Sequence, residues 1–262
     1  MTQSQLLVST PPTEQTGPTA RYSLLLTRDD ELVEAAQRLR YRVFGEELGA
    51  SLPSSGAAGR DGVDVDRFDE HCDHLVVRAD ATGEIVGTYR MLPPERVAAA
   101  GGYYAETEFG LDALADLRPN LVETGRACVH PDHRAGGVVS LVWAGIARYL
   151  LLTGHTHLMG CGSVPLADGG ALAAGVWDLA QRKHLSPVGR RVTPHRPWDA
   201  SAAPRAARSV VPPLLRGYLR LGAWVCGPPA HDPEFGVADL LLLLPLDRID
   251  DRYLRFFLGE SR

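Results

Sequence analysis

The segment Leu121-Val-Glu-Thr-Gly-Arg-Ala-Cys-Val-His130-Pro-Asp-His-Arg-Ala-Gly-Gly-Val-Val-Ser140-Leu-Val-Trp-Ala-Gly145 decides the fold. Leu121–Val129 is a strand candidate, Pro131–Gly137 a polar loop ending in two glycines, and Val138–Thr153 an apolar helix. Backbone N–H groups at a helix N-terminus are unsatisfied and carry partial positive charge, which makes this junction a phosphate cradle. Gly136 and Gly137 let the backbone approach a ligand closely, and Arg134 adds a fixed charge with a donor fork. The bland alternative is a plain loop. Glu123 and Arg126 stand three apart on the strand and so face opposite ways unless a bulge intervenes, for which Gly125 is a candidate. Glu123 could accept the proton of an attacking ammonium, directly or through one water. Alternatively it holds the sheet by an ion pair.

Working outward, Tyr22–Thr27 reads as a strand. Asp29 opens a helix that keeps Leu32, Ala35, Ala36 and Leu39 on one face and reaches about Phe44. Residues 50–62 are small and polar, a loop by composition. His74–Arg78 and Ile85–Leu92 flank an Ala-Thr-Gly turn and read as a hairpin. After the central segment come a short strand His157–Cys161, a helix Gly169–Lys183, a Pro- and Arg-rich connector over 187–211, a helix Pro212–Leu221, a buried strand Ala238–Leu246 and a terminal helix Asp250–Leu258. That order is α+β: a mixed, twisted sheet flanked by helices, with a C-terminal elaboration. The expected organisation is a disordered tail over residues 1–20, rich in Ser, Thr, Pro and Gln, then one domain over 21–262.

The chain has 262 residues, 45% hydrophobic and 23% charged, with a formal net charge of −5, which argues against wholesale nucleic-acid binding. Residues 182–220 hold nine Lys or Arg against one acid, Asp199. Cys72, Cys128, Cys161 and Cys226 form no C-x-x-C pair, and no signal peptide or membrane-length apolar run is read. A cytoplasmic setting is expected.

Three further constellations carry chemistry. Asp66-Arg-Phe-Asp69 and Gly87-Thr-Tyr-Arg90 could bind an amino acid, the acids holding its ammonium and the arginine its carboxylate, or they could be solvated loop charges. Arg40 and Phe44 lie four apart on one helical face, with Phe44 as core by default. His71-Cys72-Asp73-His74 resembles a metal cluster but lacks a second ligand pair, so no metal is expected.

Taken in order, Arg40-x-x-x-Phe44, Asp66-x-x-Asp69, Gly87-x-x-Arg90 and Glu123-x-x-Arg126 resemble the acyl-homoserine lactone synthases, GNAT-fold enzymes that acylate an amino-acid-derived amine from acyl carrier protein. The resemblance is closer to the ornithine N-acyltransferases, also known as hemolysin-like acetyltransferases, and runs from about Tyr22 to Leu258. It rests on Tyr41-Arg-Val-Phe-Gly-Glu-Glu-Leu48, His74-Leu-Val-Val through Met91-Leu92, Glu123 through Pro131, and Pro213-Leu-Leu-Arg-Gly-Tyr-Leu-Arg-Leu-Gly222. The last stretch, with Asp232-Pro-Glu-Phe and Ala238-Asp239, most separates this group from the autoinducer synthases.

The resemblance implies a GNAT-like fold and an N-acyltransferase moving a 3-hydroxyacyl group from acyl carrier protein to the α-amine of L-ornithine, giving lyso-ornithine lipid. Glu123 and Arg126 become the expected catalytic residues. Arg40, Phe44, Asp66, Asp69 and Arg90 become substrate-binding. Cys128, Arg134, Gly136 and Gly137 hold the phosphopantetheine arm, with backbone N–H near Gly125–Cys128 stabilising the oxyanion. No permanently bound cofactor is implied; the acyl-phosphopantetheine thioester is the donor substrate, on the carrier or on CoA. Val139 stands where the usual diphosphate loop has a small residue, and so favours the single phosphate of a carrier. The arginines Arg190, Arg191, Arg196, Arg205 and Arg208 suit an acidic carrier or the inner membrane face, and equally suit a solvated loop. The alternatives are an acetyl-CoA-dependent N-acetyltransferase and a non-catalytic module binding an acyl carrier or lipid.

Overall fold

The computed structural model describes residues 4–9, 21–52, 62–134, 137–205 and 210–258. In chain order the elements are β1 (Gln5–Ser9), β2 (Tyr22–Thr27), α1 (Asp30–Arg40), a π-helix (Tyr41–Glu47), β3 (Asp73–Ala79), β4 (Ile85–Leu92) and α2 (Pro94–Val97). After 3₁₀ turns come β5 (Phe109–Gly110), β6 (Leu121–Val129), α3 (Gly137–Thr153), β7 (His157–Pro165), α4 (Ala171–Lys183) and β8 (Thr193–Pro194). Last are α5 (Pro213–Arg220), β9 (Trp224–Val225), β10 (Ala230–Asp232), β11 (Val237–Pro245) and α6 (Asp251–Leu258).

The sequence suggested one domain over 21–262. The chain folds as two compact units: Met1–Arg96 with Thr124–Gly154 and Arg252–Arg262, and Val97–Glu123 with His155–Asp251. The division falls within β6.

In the first unit β1, β2, β3 and β4 run antiparallel in that order, and β6 follows β4. The Tyr89 hydroxyl donates to Thr124 Oγ1 at 2.9 Å, and the His130 N–H to the Val86 carbonyl at 2.8 Å. Side-chain alternation sorts the two faces. Leu25 and Val76 join Ala36, Leu39 and Val43 in one buried cluster under α1. Leu24 and Leu75 point the other way, toward Gly145 of α3. Asp29 caps α1 by accepting the Leu32 N–H at 3.2 Å, which relieves an orphan donor of the first turn.

The expectation of a disordered tail over 1–20 fails at Gln5–Ser9. This segment pairs with β2 and buries Leu7, because Gln-Leu-Leu-Val-Ser supplies enough apolar, β-favouring side chain to extend the sheet. Residues 1–3 and 10–20 lie outside the described residues, as does most of the expected loop over 50–62.

In the second unit, Leu121–Glu123 of β6 pair in parallel with His157–Met159 of β7. β7 pairs antiparallel with β11 over nine residues, and β10 and β9 pair with β11. Every residue of β11 is buried, which is why Leu240–Leu244 is a continuous apolar run rather than an alternating one. The expected strand His157–Cys161 continues to Pro165, because β11 supplies partners along its whole length.

Gly145 tests this packing. A Cβ there would lie 2.6 Å from Leu24 Cδ2 and 3.2 Å from Leu75 Cδ1. Gly145→Ala is expected to destabilise by about 1–3 kcal/mol through overpacking and to lower the melting temperature by several degrees. Gly189→Ala, whose Cβ would meet nothing within 4 Å, should leave it within about a degree.

Candidate active site

The first unit brings five of the sequence-selected residues into one buried charge network. Arg40 closes α1 with no exposed surface. Its Nη1 and Nη2 donate to Asp69 Oδ1 and Oδ2 at 2.8 Å each, a fork on a fork, and its Nε lies 3.0 Å from Asp64 Oδ2. Arg90 Nη1 donates to Asp66 Oδ1 and, at 3.2 Å, to Asp69 Oδ1. Arg126 lies 3.3 Å from Asp64 Oδ2 and 3.4 Å from Asp66 Oδ2. Three arginines thus face three aspartates. Asp64 escaped the sequence reading; it sits two residues before Asp66, and only its burial gives it away.

Burial works against the charge on Asp69, but the Arg40 and Arg90 guanidiniums outweigh it and hold the carboxyl well below the usual carboxylate range. Burial likewise opposes Arg40, and Asp69 and Asp64 hold its pKa above the ordinary value. His74, fully buried, lies 3.0 Å from the Asp69 carbonyl through Nε2, and burial pushes its pKa down to about 4. This histidine is part of the network's scaffold. The Arg40 fork, for which the sequence suggested a substrate contact, is taken by Asp69. Phe44 packs against the apolar cluster under α1. The aromatic near Arg90 is Phe68, 5.5 Å from the guanidinium carbon.

The expected irregularity in β6 is present one residue on from Gly125. Arg126 has φ 55°, the left-handed conformation that costs a side-chain-bearing residue about 1–2 kcal/mol. Its ion pairs with Asp64 and Asp66 hold it there.

The second group in this unit surrounds the start of α3. Arg134 Nε donates to the Val129 carbonyl at 3.1 Å, and Nη1 and Nη2 donate to Glu47 Oε1 and Oε2 at 2.7 Å each. The Tyr22 hydroxyl is 2.8 Å from His133 Nδ1. Gly137 is the first residue of α3; Gly136 lies outside the described residues. Cys128 belongs to the core under α1, and burial pushes its thiol up to about 12, so any part it takes at the donor is through its backbone.

In the second unit, Glu123 is buried and accepts the Tyr104 and Ala105 N–H groups at 2.7 Å each, capping the turn Tyr104–Thr107. The sequence offered a base or a sheet ion pair at this position; the two bonds fix the carboxylate at the start of that turn. In the same unit, Glu108, Asp232 and Asp239 bring carboxylate oxygens within 4.8 Å of one another, a spacing that suits a cation. Burial first, and then the charge of Asp239, push Glu108 up to about 9. Cys161, beside Glu108, is raised as well, chiefly by burial. Asp232 and Asp239 belong to the family-separating stretch but had been given no role; Glu108 had no sequence signal at all. In the basic connector, Arg190 pairs with Asp116 and Arg205 with Asp178, while Arg208 lies outside the described residues.

The charge network predicts acid lability. His74 and Asp69 both have depressed folded pKa values, so the unfolded chain binds protons more readily and stability falls as pH falls. His74 contributes from about pH 6.5 down to about 4 and Asp69 below the ordinary aspartate range. Melting temperature should drop through this window, and His74→Gln should flatten its upper part. Arg40→Ala, which takes one of two arginine partners from each of two buried carboxylates, should cost about 3–5 kcal/mol in chemical denaturation.

Comparison with known proteins places these features. Residues 39–144 match the family model described as Acetyltransferase (GNAT) domain. The L-ornithine N(alpha)-acyltransferase of Rhizobium meliloti is 34% identical over 97% of this chain and 90% of its own length. That of Rhodobacter capsulatus is 35% identical over 90% of this chain and 94% of its own. Among solved structures, the CoA-dependent acyl-homoserine lactone synthase BjaI, with SAM and isopentyl-CoA, shares the fold at a TM-score of 0.52 and 17% identity, covering 88% of this chain and 82% of that one. With relatives of this identity along nearly its whole length, the chain belongs to the L-ornithine N(alpha)-acyltransferase family and is an acyltransferase of the GNAT fold.

Proposed function

We propose that the chain transfers a 3-hydroxyacyl group from acyl carrier protein to the α-amine of L-ornithine, giving lyso-ornithine lipid. The observation that carries the acceptor is the match to relatives named for that amine over most of both chains. Val139, inside the first turn of α3, supports a donor with one phosphate rather than a diphosphate. No helix among the described residues is long and apolar enough to cross a membrane, and the reading gives the chain peripheral contact with the inner membrane face.

In the reaction the ornithine α-nitrogen attacks the thioester carbonyl; an N–C bond forms, the C–S bond breaks and the thiolate leaves. A thiol of pKa about 8.5 needs little help to leave. Backbone N–H groups over Gly125–Cys128, set by the left-handed turn at Arg126, stabilise the carbonyl oxygen as charge develops. The α3 N-terminus, with Arg134, Gly136 and Gly137, holds the donor phosphate. Glu123 takes the ammonium proton through a water or fixes the amine, since each carboxylate oxygen can accept more than one hydrogen bond. Asp66 meets Arg126, and Arg90 and Asp69 in turn hold Asp66.

L-ornithine carries a second ammonium, and Glu108, Asp232 and Asp239 match its charge. Burial and the neighbouring acids favour the protonated form of Glu108, and an arriving cation favours its ionised form.

A product assay by mass spectrometry checks the reaction. With 3-hydroxypalmitoyl carrier protein and mixed amino acids, N-acylornithine should form. Product from acetyl-CoA alone would identify a conventional acetyltransferase, and no product from either donor would leave a binding module. Glu123→Gln should lower kcat by about 100-fold or more. Glu108→Gln and Asp239→Asn should raise KM for ornithine at least tenfold with less effect on 2-aminopentanoate, which lacks the second amine. Equal losses for both acceptors would remove these acids from recognition.

A further inference from the structure

The arginine assigned to the donor phosphate is already engaged. Arg134 Nε is anchored on the Val129 carbonyl, which fixes the guanidinium at the mouth of the loop. Its two terminal nitrogens point at a carboxylate, Glu47, with both bonds at 2.7 Å. Two parallel N–H donors on two oxygens of one anion is also how a guanidinium grips a phosphate. We propose that Glu47 is a gate on the donor site: its carboxylate fills the Arg134 fork until the phosphate of the pantetheine arm displaces it.

Three features of the chain support this. Glu47 reaches Arg134 because the helix changes pitch. Residues seven apart share one face of an α-helix, so continued α-helix after Arg40 would turn Glu47 toward the side on which Arg40 is buried. The π-helix Tyr41–Glu47 winds more widely and takes the carboxylate off that face. Short π segments are frequent at functional sites. Secondly, the pair lies in solvent, with side-chain exposures of 44% for Arg134 and 35% for Glu47, so it is readily exchanged. Lastly, Glu47 sits on a different element from the loop and can withdraw without unmaking the Val129 anchor. Arg134 therefore stays aimed while its partner changes.

The inference rests on the reading that Arg134 holds the donor phosphate, and the test separates the two. The full-length protein is titrated calorimetrically with 4′-phosphopantetheine, and with pantetheine as the phosphate-free reference. Glu47→Gln and Glu47→Ala should each bind 4′-phosphopantetheine about 3- to 10-fold more tightly and leave pantetheine unchanged. Arg134→Ala should weaken 4′-phosphopantetheine and abolish the gain when combined with Glu47→Ala. If Arg134→Ala weakens binding and both Glu47 variants bind the same or more weakly, Glu47 positions the arginine and the gate is overturned. If Arg134→Ala has no effect, the phosphate lies elsewhere and both readings fall. Both positions are solvent-accessible, so thermal melts should match the parent and keep folding out of the comparison.

Discussion

The first unit is organised around one guanidinium without water. Arg40 ends α1 inside the protein, where an unpaired charge would cost several kcal/mol, on the order of the whole stability of a domain. It is tolerable only because Asp64 and Asp69 meet it. Asp69 also takes Arg90 from β4, and Asp64 also takes Arg126 from β6. One buried charge therefore dictates where a helix, a loop and two strands must lie. Networks of this kind seldom exceed apolar packing in stability. What this one supplies is an address: Arg126 is held left-handed in the strand that bears the reacting carbonyl's proposed donors.

The second unit treats charge in the opposite way. Its three clustered carboxylates carry like charge, and burial together with the Asp239 and Asp232 charges disfavours ionisation of Glu108. In the first network acids and arginines balance; in the second, negative charge is in surplus.

Much of this was legible in the sequence where period and motif act over short distances. The Asp29 cap, the hairpin of β3 and β4 and the apolar α3 follow from spacing and turn chemistry. Arg40, Asp66, Asp69, Arg90 and Arg126 were recognisable through the ordered motif spacings they share with the acyl-homoserine lactone synthases; taken singly they read equally well as solvated charges. What escaped depends on convergence. Glu108 lies among 3₁₀ turns with no periodicity, and its neighbours Asp232 and Asp239 come from a hairpin far along the chain. The π-helix has no residue signature; the sequence carries an ordinary helix only to about Phe44, so the reach of Glu47 to Arg134 was hidden. Gly125 was the natural place for an irregularity in β6, but the conformation falls on Arg126, because ion pairs rather than the absence of a side chain stabilise it.

The long pairing of β7 with β11 has a consequence for the ribosome. β7 is complete at Pro165, while the strand that covers it begins only at Val237. At ordinary elongation rates of about 5–20 residues per second, β7 waits about 4–14 s for its partner. During that interval its open edge can pair with other nascent chains. The yield of active protein therefore depends on how quickly the ribosome traverses the arginine-rich connector, and slow codons there would favour aggregation of a sequence that is otherwise sound.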